Sequence, residues 1–76
     1  MQPHEIRLGM PYRCWVNGHD GRVRARFVPQ KRNGSTQWGP IFSGRVYLQV
    51  VDGRRQTALT LENQRFFADE LETWVP

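Results

Sequence analysis

The most informative segment of the chain reads Arg22-Val23-Arg24-Ala25-Arg26-Phe27, in which basic and apolar side chains alternate. Successive side chains of a β-strand point to opposite faces of its sheet, so an extended backbone gathers the arginines on one face. In an α-helix the same residues would scatter the arginines around the cylinder and leave no apolar stripe. The alternation therefore predicts a strand whose outer face carries the arginine row, defined as Arg22, Arg24 and Arg26.

Other segments repeat this period of two between tight-turn signals. Asn-Gly and Asp-Gly pairs supply the positive φ angles that tight hairpins require. In the first strand the alternation points Trp15 outward, but a shift of one residue in register would bury it, and we favour the core position for this ring. The predicted strands are 11–16, 22–27, 45–51 and 56–61, separated by turn signals at Asn17-Gly18, Asp20-Gly21, Asn33-Gly34 and Asp52-Gly53.

Three segments depart from this alternation. Residues 1–8 are expected to form a flexible N-terminus, and the segment 64–72 predicts one or two helical turns before a last short strand at 73–75. The segment 29–43 contains two prolines and predicts a long loop with Trp38 and Phe42 exposed. The alternative for this segment is a longer hairpin with Trp38 in the core.

The length and composition bound the class of protein. A chain of 76 residues that is 38% hydrophobic and 24% charged forms one small domain, too apolar for disorder and too polar for a membrane protein. It has no apolar run of the roughly 20 residues that a spanning helix needs, so we expect a cytoplasmic protein without a membrane partner. The single cysteine, Cys14, excludes an internal disulfide.

The charge is positive and segregated along the chain. The net charge is +4, and the basic side chains are ten arginines and one lysine. Residues 1–61 carry a balance of +7, whereas residues 62–76 carry −3. Such a basic region attracts polyanions. Either it meets an acidic partner, or carboxylates of the acidic tail (Glu62, Asp69 or Glu70) neutralise it.

The order of these elements resembles the SH3-like barrels, in particular the Tudor and KOW types. The residues that carry the resemblance are Gly9-Met10, Gly21-Arg22-Val23, Val46 to Val50, Asp52-Gly53 and Phe67-Ala68-Asp69-Glu70-Leu71. The resemblance implies a mainly β fold: a small five-stranded antiparallel barrel with one short C-terminal helical turn. The segment 29–43 is longer than the corresponding part of that family.

The resemblance also implies a binding module. KOW-type barrels contact RNA or the ribosomal and transcription machinery, and Tudor-type barrels hold methylated side chains in aromatic cages. The type II dihydrofolate reductases look similar in fold, and their pore motif Val-Gln-Ile-Tyr aligns with Asn63-Gln64-Arg65-Phe66, where only Gln64 matches. A pore enzyme of that kind would be a symmetric tetramer with Gln64 and Phe66 lining the pore.

The residues themselves favour a nucleic-acid backbone as the partner. Guanidinium groups at alternate positions of a strand meet successive phosphates, and exposed rings beside them stack on bases. Because phosphate contacts carry no sequence information, weak base specificity is expected. The predicted nucleic-acid-binding residues are Arg13, Arg22, Arg24, Arg26, Lys31, Arg32, Trp38 and Tyr47.

The other two classes of function to consider are a protein-binding module and an enzyme. A self-associating or protein-binding barrel would hold an acidic partner through the basic face, or a peptide through the loop aromatics. Catalysis is not expected: the two histidines and Cys14 show no metal-ligand spacing, and the chain has no glycine-rich phosphate loop. We therefore predict a non-enzymatic protein without a cofactor or a metal.

Overall fold

A single antiparallel sheet contains all five strands of the computed structural model, which describes residues 1–18 and 21–76. The strand order is β4-β3-β2-β1-β5, and this mainly β architecture confirms the predicted fold class. The outer strands β4 and β5 are not paired with each other in the described part of the chain, so the sheet is open rather than closed. The strands are β1 (Tyr12–Gly18), β2 (Gly21–Thr36), β3 (Gly39–Asp52), β4 (Arg55–Phe67) and β5 (Glu72–Thr73), and 3-10 turns lie at Pro3–Glu5 and Ala68–Glu70.

The core lies on the face of the sheet that the apolar positions of β2 point to. Ala25 pairs with Cys14 of β1, and Phe27 lies between Tyr12 of β1 and Val46 of β3. All five side chains are buried. Each large apolar side chain contributes about 1.5–3 kcal/mol when fully buried, so this row fixes which face of β2 points inward.

The sheet divides into two hairpins beyond the middle of β2. Arg26 and Tyr47 form the last pair between β2 and β3. From that pair outward, residues 21–25 pair only with β1, and residues 48–52 pair only with β4. The β3–β4 hairpin therefore extends away from the core, and the molecule measures 42 × 21 × 20 Å.

The segment 29–43, expected to be a loop, instead forms the far end of the β2–β3 hairpin. Two register shifts, one beginning at Pro29 and one at Arg32, allow the strands to stay paired although proline cannot donate a hydrogen bond. The ring of Phe42, expected to be exposed, is 1% exposed, and Trp38 is 73% exposed at the hairpin end rather than in the core.

Both chain ends also differ from the sequence-based expectation. Residues 1–8 are tied to the fold: Ile6 is buried, and the amino group of Met1 donates hydrogen bonds to the carbonyls of Ala68 and Leu71, both at 3.3 Å. The helical turns expected over 64–72 shrink to the 3-10 turn, because β4 continues to Phe67. The turn expected around His19 and Asp20 lies outside the described residues.

Cys14 is a core residue and not a reactive one. Burial, together with the nearby Glu70 carboxylate, raises the pKa of its thiol from 9.0 to about 11. The thiol therefore stays protonated at neutral pH, and a protonated thiol is a poor nucleophile. Among the described residues, no helix is long and hydrophobic enough to cross a bilayer.

Candidate nucleic-acid interface

The arginine row lies on the outer face of β2, as the alternation predicts. Arg22, Arg24 and Arg26 are exposed, and a strand rise of about 3.3 Å per residue spreads them over roughly 13 Å. None of the three forms an ion pair with a carboxylate in the described part of the chain. Their charges therefore remain available to an anionic ligand.

An aromatic ring supports each arginine of the row. The guanidinium carbon lies 5.4 Å from the ring centre of Trp15 for Arg22, and 4.9 Å from that of Tyr47 for Arg26. For Arg24 the ring is Trp74, at 5.6 Å. Cation–π attraction restricts the side chain while the N–H groups in the guanidinium plane stay free to donate. The rings therefore order the row without consuming its hydrogen-bond donors.

Arg13 lies beside the row but is already neutralised. Its Nη2 donates to Oε2 of Glu72, and the indole Nε1–H of Trp15 donates to Oε1 of the same carboxylate at 3.3 Å. These two hydrogen bonds, the one from Arg13 first, lower the pKa of Glu72. The pair is thus fully ionised above the ordinary glutamate pKa and is lost only as the pH falls through the lowered value. Trp15 itself lies on the outer face, opposite Arg24, and not in the core.

The other predicted cations and rings are spread more widely. Lys31 pairs with Ser43, which shares the outer face of β3 with Tyr47, but four residues of β2 separate it from Arg26. Arg32 pairs with the buried Phe42 and stands over its ring at 5.7 Å, on the opposite face from the row.

Trp38 is also distant from the row. Trp38 lies beyond the C-terminal end of β2, ten residues or more after the arginine row. Its ring contacts Phe67 edge-on at 6.5 Å. Ten residues of extended chain span roughly 33 Å. The structure therefore does not bring Trp38, Arg32 and the arginine row into one site.

A groove opens where the two hairpins diverge, and it adds a residue that the sequence did not indicate. This hairpin groove has a volume of about 470 Å³, and Trp74 lines it together with Arg24, Arg26 and Tyr47. None of its described lining residues is a carboxylate. Trp74 lies fifty residues after Arg24 in sequence and comes close to it only because β5 pairs with β1. The apolar lining residues are Ala25, Leu48, Ala58 and Leu59.

Two of the carboxylates that could have neutralised the row, Glu62 and Glu70, are engaged elsewhere. Oε2 of Glu62 accepts a hydrogen bond from Arg45 at 2.9 Å, and this bond raises the pKa of the Arg45 guanidinium. Oε1 of Glu70 accepts the backbone N–H of Phe67 at 2.9 Å. Asp69 lies in the same 3-10 turn as Glu70.

Two features weighed for an enzyme, a metal centre and a pore lined by Gln64 and Phe66, are not found among the described residues. Residues 1–18 and 21–76 contain no cluster of three or more His, Cys, Asp or Glu side chains that could hold a metal ion. Phe66, the proposed pore residue, is buried and packs edge-on against Phe27 at 4.8 Å. Phe66 therefore does not face a shared pore. The resemblance to the pore enzymes thus loses one of the two residues, Gln64 and Phe66, that were expected to line the pore.

Comparisons with known proteins give the chain no relative from which a function could be carried over. Protein-family models, curated proteins and solved structures were compared with it, and none of them matches. The function therefore has to be inferred from the side chains that the fold brings together.

Proposed function

We propose that the protein is a non-enzymatic, SH3-like module of the cytoplasm that binds the phosphate backbone of nucleic acid with weak base specificity. The observation that carries the proposal is the arginine row. Its three exposed guanidinium groups each lie over an aromatic ring, and none of them forms an ion pair with a carboxylate in the described part of the chain. If a carboxylate side chain of the protein were paired with every arginine, the surface would have no net positive charge to attract a phosphate. This surface keeps its charge.

The sheet supports the SH3-like part of the proposal. Its five antiparallel strands and the 3-10 turn before the last strand agree with the resemblance, although the sheet is open. The open edges leave the divided end of the sheet accessible. Fold similarity does not determine function, so the binding proposal depends on the side chains and not on the sheet.

A titration against oligonucleotides over a series of salt concentrations tests the proposal. Each neutralised phosphate releases condensed counterions, so the logarithm of the association constant should fall linearly with the logarithm of salt concentration, by about 0.7–0.9 per phosphate. Three arginines predict a slope of about 2 to 3. Absence of binding at low salt, or an affinity that does not change with salt, would contradict the proposal.

Glu72→Gln is expected to raise the affinity for an oligonucleotide by about three-fold, the size of an exposed ion pair. Glu72 holds Arg13 and Trp15, so its neutralisation releases a fourth guanidinium beside the row. Asp69→Asn removes the same charge from the 3-10 turn and is the matched control. Equal effects of the two variants in the titration would show that Arg13 takes no part.

A second candidate function is self-association through the β3–β4 hairpin. Val50, Val51, Leu59 and Leu61 are exposed there, and β4 is an open edge strand. An open edge with apolar side chains can pair with the edge of another chain. Sedimentation equilibrium tests this function: the apparent mass should rise with protein concentration, and Leu61→Lys should abolish the rise. A monomer at all concentrations would exclude it.

A further inference from the structure

We propose that the hairpin groove holds an unpaired nucleotide, so that the protein prefers single-stranded to double-stranded nucleic acid. The inference depends on the proposed function, because it specifies the form of nucleic acid that the same surface binds. The base would lie in the groove against the ring of Trp74, and its phosphate would meet Arg24 and Arg26 at the rim.

The composition of the groove matches the two parts of a nucleotide. Leu59 is 42% exposed in the lining although it belongs to the apolar side of β4, and Ala25 and Leu48 line the groove with it. Next to this apolar surface stand the guanidinium groups of Arg24 and Arg26. A free phosphate would use only the cations, and an aliphatic ligand would use only the apolar surface. A nucleotide uses both.

The charge of the groove favours a polyanion over a neutral ligand. In the part of the chain that the structure describes, its lining includes two arginines and no carboxylate. The guanidinium carbons lie 4.9 Å and 5.6 Å from the rings of Tyr47 and Trp74, so cation and ring are adjacent at both positions. A base and the phosphate of its own nucleotide are separated by only one sugar. An aromatic ring with an adjacent arginine can therefore contact both of them.

The shape of the site excludes a paired base. In a duplex both faces of every base are covered by its neighbours, so a ring on a protein can stack only on a base that has left the helix. The groove has a volume of about 470 Å³ and lies between two hairpins, where a single-stranded nucleic acid can place one nucleotide. A duplex can contact the arginine row outside the groove, but it leaves Trp74 unused.

The size of the preference follows from the stacking contact. Replacing an aromatic side chain that stacks on one base lowers affinity by roughly ten-fold in single-strand-binding proteins. We therefore expect a single strand to bind about ten-fold more tightly than a duplex of the same length. The phosphate contacts of the arginine row are common to both forms and leave this ratio unchanged.

The experiment compares Trp74→Leu with Trp38→Leu, which makes the same substitution at the distant end of the β2–β3 hairpin. Single-stranded and duplex oligonucleotides of about 12 nucleotides are titrated into the full chain, followed by fluorescence anisotropy. Trp74→Leu should lose about ten-fold for the single strand and little for the duplex. Trp38→Leu should match the original protein for both. Circular dichroism melts identify any loss of folding.

Tryptophan fluorescence supplies a second readout that a structural role of Trp74 would not produce. A base stacked on the indole should quench its emission on addition of the single strand, and Trp74→Leu should remove that quenching. Trp74→Phe keeps a ring in the groove and should retain most of the single-strand preference.

The outcomes separate this inference from the proposed function. Equal affinity for single strand and duplex, both falling with salt, would overturn the nucleotide groove and leave the backbone-binding proposal intact. Absence of binding to either form would overturn both. Competition by poly-glutamate as strong as that by the single strand would also overturn the inference, because an acidic peptide has no base to stack.

Discussion

Replacing Arg22, Arg24 and Arg26 together with glutamine is expected to lower the affinity for an oligonucleotide by about 100-fold at low salt. The same variant should reduce the salt dependence, measured as the slope of log affinity against log salt, by about 2 to 3. The comparison is made by fluorescence anisotropy over the same salt series for the original and the triple variant. No other three substitutions on the described surface are expected to have a comparable effect on binding.

The size of this effect follows from the environment of the three side chains. Each lies over a ring and lacks a described carboxylate partner, so each can neutralise one phosphate without breaking an existing ion pair. An exposed ion pair contributes up to about 1 kcal/mol after the loss of hydration. Three such contacts at about 1 kcal/mol each amount to roughly 100-fold.

The matched control changes the net charge by the same amount at positions outside the row. Arg7, Arg54 and Arg55 are exposed, and the last two lie at the turn between β3 and β4. Their triple replacement with glutamine should lower affinity by less than ten-fold through long-range attraction alone. If the two triple variants lose the same affinity, total charge and not the arginine row determines binding, and the proposal is wrong.

The arginine row could be predicted from the sequence because the signal is local. Alternation within six residues fixes both the strand and its faces, and no distant contact is needed to interpret it. The buried row of Ala25 and Phe27 then fixes which face of the strand is the outer one. The same reasoning predicted that Tyr47 lies on the outer face, where it pairs with Arg26.

The second ring of the groove could not be predicted in this way. Trp74 supports Arg24 only because β5 pairs with β1 for two residues and brings the C-terminus next to β2. A two-residue strand has no recognisable period, and the pairing joins segments about sixty residues apart. The sequence placed Trp74 in a short last strand at 73–75, but it could not indicate which strand that segment would pair with.

The expectation of a loop at residues 29–43 was wrong for a related reason, and the hairpin alternative was right except for the position of Trp38. Proline is usually excluded from the interior of a sheet, and two prolines therefore indicated a loop. The register shift that begins at Pro29 accommodates this residue within a continuous pair of strands. It also changes the face of the residues that follow, so Arg32 lies with Phe42 instead of extending the arginine row.

Gly44→Ala is expected to destabilise the protein by about 3 kcal/mol or more, the largest effect of a single substitution that the structure indicates. Gly44 is buried in β3 between Pro29 of β2 and Gln64 of β4, at the point where the register with both neighbours shifts. An alanine Cβ there would lie 2.8 Å from the Cα of Pro29 and would overlap the carbonyl oxygen of Val28. These are backbone atoms, so no side-chain rotation relieves the overlap.

Thermal and urea unfolding measure this effect. A domain of this size has a total stability of about 5 kcal/mol, so the variant should keep only about 2 kcal/mol and melt roughly 15 °C lower. Gly34→Ala is the matched control because its Cβ would meet no atom within 4 Å. Its stability should stay within about 0.5 kcal/mol of the original. A Gly44→Ala variant as stable as Gly34→Ala would mean that β2 and β3 are farther apart at the register shift.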